Sequence, residues 1–157
     1  MSRPLPPLNV PVLVGCAAAK LAAAAAAADL YSPSRLFRAT RALARRSAAG
    51  WGVLSARYHL LRPDQVVEPY DLRITQLRGP ARDAWGVLVR EELLQRWPEA
   101  RRLVVLAGAD YVRALERALG WEWEVEAPLA GLGVGSRYAQ LVAWQRAADL
   151  LARLLLR

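Results

Sequence analysis

Apolar residues fall along the chain as short continuous runs that alternate with longer segments of helical period. Val10 to Val14 is a run with β-branched residues and predicts a buried strand. Trp51 to Ala56 and Leu103 to Ala107 read the same way, and Glu122 to Val125 alternates in strand fashion. Between them, Ser32-Pro33 predicts a helix start, with Ser32 as N-cap and Pro33 at the first helical position. That helix is expected to reach Ala49 and stop at Gly50, with Leu36, Phe37, Thr40, Leu43 and Ala44 on one face. Arg82 to Arg96 and Asp110 to Leu119 predict two more helices. Ser136 is expected to cap a final helix packed through Tyr138, Leu141, Val142, Leu150, Leu151, Leu154 and Leu155.

Three segments predict less regular structure. Met1 to Asn9 is Pro-rich and reads as an extended arm, which leaves residues 10–157 as one domain. Gly15 to Asp29 holds seven consecutive alanines, Ala22 to Ala28, and reads as a loop or partial helix. Tyr58 to Asp71 reads as a loop. Strands separated by helices imply a mostly parallel sheet. The expected fold is therefore a single three-layer α/β domain, about four mostly parallel strands flanked by helices, an open sheet of Rossmann-like type. Such sheets bind ligands beyond the carboxyl ends of their strands. That rule draws Cys16 to Lys20, Ser55 to Tyr58 and Gly108 to Tyr111 toward one edge.

Composition narrows the chemistry. The chain has 157 residues and a net charge of +8, enough for one core and biased toward anionic partners such as nucleic acid or nucleotides. Of its 22 basic residues all but Lys20 are arginine, the mark of a GC-rich genome. Arginine is thus the default surface cation, and the single lysine stands out, since an ammonium can lose its proton when buried and serve as nucleophile or base. One cysteine and one histidine exclude a disulfide, a Cys-based zinc site and a multi-histidine cluster, so no metal or cofactor is expected. Leu13-Val14-Gly15-Cys16 has the form of a lipoprotein cleavage box. The apolar stretch before it, Val10 to Val14, is shorter than the ~7–15 residues a signal needs, and Pro4, Pro6, Pro7 and Pro11 break any helix in that segment. No apolar run reaches a membrane span of ~20 residues, and the expected setting is the reducing cytosol.

Several residues are candidates for function. Lys20 sits just past the first strand with Cys16 as a possible pocket wall. Tyr58, after Ser55, offers a ring for stacking. Glu68 and Asp71 flank Pro69-Tyr70 and offer a general base. Arg35, Arg38, Arg41 and Arg45 form a stripe suited to backbone phosphates; it reads equally as a solvated face. Gly131, Gly133 and Gly135 precede a helix but lack a Walker lysine, and read as a turn enforcing close helix–sheet packing.

The segments VLVGCAAAKL, DLYSPSRLF, VLSARYHLLRPDQVVEPYDL, VLAGADYVRAL and PLAGLGVGSRYAQLVAW together resemble a family of small bacterial, archaeal and phage domains of unknown function. Its pattern runs Ser-Cys-x-x-x-Lys, Leu-Ser-Ala-Lys-Tyr-Gly-Leu-Leu and Glu-Pro-Tyr-Asp. The chain is more distantly similar to the YaaA peroxide-stress proteins, which are associated with DNA binding. The resemblance marks Cys16, Lys20, Tyr31, Ser55, Tyr58, Pro69, Tyr70, Asp71, Gly108 and Tyr111. Gly15 replaces the family's Ser, and His59 replaces its Gly, which removes the assumption of a positive φ there. The resulting expectation is a nucleic-acid-associated domain acting on a nucleobase or nucleoside by N-glycosidase-like hydrolysis. Lys20, Asp71 and Glu68 would be catalytic, and Cys16, Tyr31, Ser55, Tyr58, Tyr70, Gly108 and Tyr111 would bind the ligand. The alternatives are a non-catalytic DNA- or nucleotide-binding module, and a small-molecule hydrolase or transferase unrelated to nucleic acid.

Overall fold

The computed structural model describes residues 3–156. Its centre is a five-stranded sheet built from β1 (Val12–Gly15), β3 (Trp51–Ser55), β4 (His59–Leu61), β6 (Arg102–Leu106) and β7 (Glu124–Glu126), in the order β4-β3-β1-β6-β7. β1 pairs in parallel with β3 and β6, and β6 with β7, while β4 returns antiparallel along β3. The three inner strands, β3, β1 and β6, are buried on both faces, which is why they read as unbroken apolar runs. Alternate residues enter different cores. Val12, Val14, Val53, Val104 and Leu106 face α2 (Arg35–Ala44) and α5 (Val134–Leu155). Leu13, Leu54, Leu103 and Val105 face α3 (Pro80–Arg96) and α4 (Ala109–Leu119). Each such side chain taken from water contributes about 1.5–3 kcal/mol.

Small residues set the approach of the layers. A Cβ on Gly86 would lie 2.6 Å from that of Ala118, so α3 and α4 meet backbone to backbone. A Cβ on Gly15 would lie 3.1 Å from that of Ala107, so the ends of β1 and β6 close on each other. By contrast, nothing stands within 4 Å of a Cβ at Gly131, Gly133 or Gly135. That turn does not enforce close packing; Gly131 supplies instead a φ of +84°, which L side chains rarely adopt.

Several boundaries differ from the expected ones, each for a local reason. Ser34, not Ser32, caps α2: its Oγ accepts from the Phe37 amide at 3.1 Å. The amides of Ser32 and Ser34 close a turn onto Asp29 and Tyr31 first, which delays the helix. α2 ends at Ala44, because Ser47 Oγ and the Ala48 amide bond the carbonyls of Val10 and Leu8 instead. α5 begins at Val134 with Gly133 at its N-cap, ahead of Ser136, since the Arg137 amide already bonds the Gly133 carbonyl. Its buried face is Gln140, Leu141, Trp144 and Ala148. Leu150, Leu151, Leu154 and Leu155 are exposed, because the helix outruns the body it packs on.

The alanine run and the segment after β3 also gain structure. β2 (Ala25–Ala26) pairs antiparallel with β5 (Val66–Val67), followed by the single turn α1 (Ala27–Leu30). A further 3₁₀ turn covers Ile74–Gln76. His59 adopts φ +66°, so the left-handed backbone persists although the glycine of the resembled motif is gone. The Pro-rich start is fastened to α5: the Arg3 amide donates to Gln140 Oε1 at 2.8 Å, and Trp144 Nε1 donates to the Arg3 carbonyl at 2.8 Å. No helix among the described residues is long and apolar enough to cross a membrane.

Candidate functional site

From β1 the chain moves to β3 on one side, then crosses to β6 on the other. The reversal between β1 and β6 leaves a crevice at their carboxyl ends, the place where open parallel sheets hold ligands. A cavity of about 460 Å³ occupies it. Gly15 to Ala18 and Leu106 to Gly108 form its floor, Leu36, Phe37 and Thr40 of α2 one wall, and Asp71 to Thr75 its rim. This volume falls within the roughly 300–1,000 Å³ of small-molecule sites, and mixed apolar and polar walls are usual there.

Of the expected residues, Cys16, Lys20, Asp71, Gly108 and Tyr111 line this cavity. Cys16 Sγ shares a hydrogen bond of 3.0 Å with the Tyr111 hydroxyl. The half-buried Lys20 directs its ammonium to the Ala18 carbonyl at 3.2 Å. That ammonium also lies 4.5 Å from the centroid of the Tyr70 ring and 5.8 Å from that of Tyr31. Aromatic faces attract a cation by their quadrupole, so the lysine is held without a carboxylate.

Tyr31, Ser55 and Tyr70 form a hydroxyl cluster behind Lys20, and Tyr58 joins it through its backbone amide and the edge-to-face contact of its ring with Tyr70. Ser55 Oγ donates to the Tyr70 hydroxyl at 2.7 Å and accepts from the Tyr58 amide at 3.0 Å. The Tyr70 and Tyr31 hydroxyls share a bond of 2.8 Å. Ser55 is fully buried and its carbonyl accepts from Trp85 Nε1 at 2.9 Å, so this cluster anchors the end of β3. Burial, then the nearby Cys16, pushes the phenols of Tyr31, Tyr70 and Tyr111 well above their ordinary range. These hydroxyls stay protonated and position neighbours rather than accept a proton.

The remaining expected residues stand apart. Glu68 is exposed and off the cavity wall, and its backbone carbonyl accepts from the Tyr58 hydroxyl at 3.1 Å. The four arginines of the expected stripe do not line the cavity either. Arg35 stacks on Tyr138 at 3.8 Å, Arg38 donates to the Ser32 carbonyl, and Arg41 donates to the Ala28 carbonyl and approaches Asp29. Arg45 is exposed.

Sequence reasoning missed Arg73 and Arg137, which join Lys20 on the cavity lining. In a chain where arginine is ordinary, neither carried a signal of its own; Arg73 lies two residues past the Asp71 motif. Arg137 Nε donates to the Leu132 carbonyl at 3.0 Å. Its guanidinium lies against Gly108, where a Cβ would stand 3.2 Å from Nη1. Among the described residues no three His, Cys, Asp or Glu side chains gather to hold a metal ion.

No curated protein matches the chain. Residues 12–143, which include every strand of the sheet and every residue lining the cavity, match the family of unknown function DUF6884, and the chain belongs to that family.

Proposed function

We propose that this chain is a nucleic-acid-associated domain that takes a nucleobase or nucleoside into the strand-end cavity and hydrolyses its N-glycosidic bond. The observation that carries the reading is the meeting of Lys20, Asp71 and the aromatic Tyr111 on one cavity of single-ligand size. The net charge of +8 and the likeness to YaaA proteins support an association with nucleic acid. In this reading Asp71 takes a proton from a water whose oxygen attacks C1′. The C1′–N bond breaks, and its electron pair leaves with the base. Lys20 stabilises that developing charge and returns a proton to it. Glu68, exposed and off the cavity, has no part in this scheme.

A second reading, a non-catalytic binding module, draws on one feature: Asp71 is exposed at the rim, not desolvated as a tuned base usually is. Turnover of single-stranded DNA and nucleosides separates the two. Lys20→Ala and Asp71→Asn should keep the fold and lower turnover by about 10²–10⁴-fold. Tight binding without turnover in the unaltered protein would favour the module. Absence of salt-dependent DNA affinity at low ionic strength would remove both nucleic-acid readings, leaving a small-molecule enzyme.

A further inference from the structure

We infer that the ligand of the strand-end cavity carries a phosphate monoester, and that Arg137, with Lys20 and Arg73, is its receptor. The inference rests on the nucleoside reading above for the rest of the ligand. Three cations line one concavity, and none of them pairs with a carboxylate among the described residues. Elsewhere some arginines reach a carboxylate, as at Arg46, Arg62, Arg90, Arg102 and Arg117, and others, such as Arg96 and Arg101, rest on a ring or a carbonyl; the cavity differs in gathering three cations on one lining. The cavity has two acids on its lining, and Asp110 is already held by Arg113. Asp71 alone therefore stands against three cations. Clustered like charges repel, and an anion between them removes that cost.

Arg137 is also shaped for the task. Its Nε is tied to the Leu132 carbonyl, which fixes the guanidinium plane, while Nη1 and Nη2 hold no hydrogen bond among the described residues. A fixed planar fork suits two oxygens of one phosphate. Gly108 makes room for it. The Gly108 φ of −73° is ordinary, so the backbone does not demand glycine there; a Cβ would press on the guanidinium and shift it by a few tenths of an ångström. A monoester, with a charge of roughly −1.5 to −2, matches this cluster better than a diester. Such a group comes either from a free mononucleotide or from the phosphorylated end of a strand.

Calorimetric titration of the full chain at fixed ionic strength tests the subsite. The probes are the nucleosides, their 5′-monophosphates, inorganic phosphate, and a short single strand with and without a 5′-phosphate. Each monophosphate should bind at least about tenfold tighter than its nucleoside. Arg137→Gln should erase that advantage and leave nucleoside affinity in place. Gly108→Ala should reduce it while keeping the charge, which covers the case in which Arg137→Gln disturbs the Leu132 turn. Preference for monophosphates or for the phosphorylated strand names the source, and either supports the subsite. Equal affinity for nucleosides and monophosphates overturns it, as does an advantage that survives both variants. Binding of inorganic phosphate that depends on Arg137, with no nucleoside bound, keeps the subsite and removes the nucleoside reading.

Discussion

At the amino ends of the strands, Arg96 donates to the Trp51 carbonyl at 2.6 Å and stacks on Trp97 at 4.3 Å. Arg101 lies over Trp123, and Arg102 reaches Glu124 and Glu126. At the carboxyl ends, Lys20, Arg73 and Arg137 face a cavity with no carboxylate partner among the described residues. Both ends are basic, but at the amino ends Arg96 and Arg101 cover separate tryptophans and Arg102 meets two glutamates, whereas at the carboxyl ends three cations share one cavity lining. Net charge therefore says little about where a ligand binds; the convergence of cations on one concavity says more.

This contrast can be broken at either end. The largest effect is expected at Gly52, beside Trp51, where a Cβ would stand 2.8 Å from Leu60 Cδ1, 2.9 Å from Arg96 Nη1 and 3.1 Å from the Leu61 carbonyl. Gly52→Val should cost about 3 kcal/mol of stability by overpacking, read by urea unfolding, with affinity in the cavity kept under folded conditions. Next is Ser55→Ala, which strips two hydrogen-bond partners from a fully buried position. Loss of about 2 kcal/mol should come with weaker ligand binding, because Tyr70 beneath Lys20 loses its support. A Ser55→Ala protein that binds normally would separate the hydroxyl cluster from the site. Arg102→Ala should change stability by no more than about 0.5 kcal/mol, since its ion pairs are exposed, and should leave binding unchanged.

The alternation of apolar residues made the layers legible, because strands buried on both faces differ in composition from amphipathic helices. Val12 to Val14 and Leu103 to Leu106 carry that signal directly. The pairing of Ala25–Ala26 with Val66–Val67 was hidden, because alanine favours helices and only the distant partner strand overrides it. The final leucines misled for a related reason: helical period shows a face but not whether anything covers it. Within the site, Lys20 was legible by its rarity and Cys16, Asp71, Gly108 and Tyr111 by motif. Arg137 was not, because its significance lies in the space left by Gly108.

The smallest effect concerns His59. Burial, and then Arg57, lowers its imidazole below the ordinary 6.5. Burial raises the Glu92 carboxyl beside it. A charged pair at their 3.9 Å separation would shift both groups the other way, so desolvation prevails. The unfolded chain then binds the histidine proton more readily, and stability should fall as pH drops below about 6.5 toward the folded value. Glu92 acts oppositely at more acid pH, where its neutral form favours the fold. His59→Asn tolerates the left-handed backbone and should flatten the fall between pH 6.5 and 5.5. Unfolding curves that match the unaltered chain at both pH values would refute this assignment.

The most direct test of the central contrast is a crystal structure of the chain soaked with a nucleoside 5′-monophosphate. Density should fill the cavity between β1 and β6, with the phosphate in hydrogen-bond reach of Arg137 and the ring against the apolar wall. A ligand seated instead at Arg96 or Arg101, or a cavity left empty at millimolar ligand, would contradict the account.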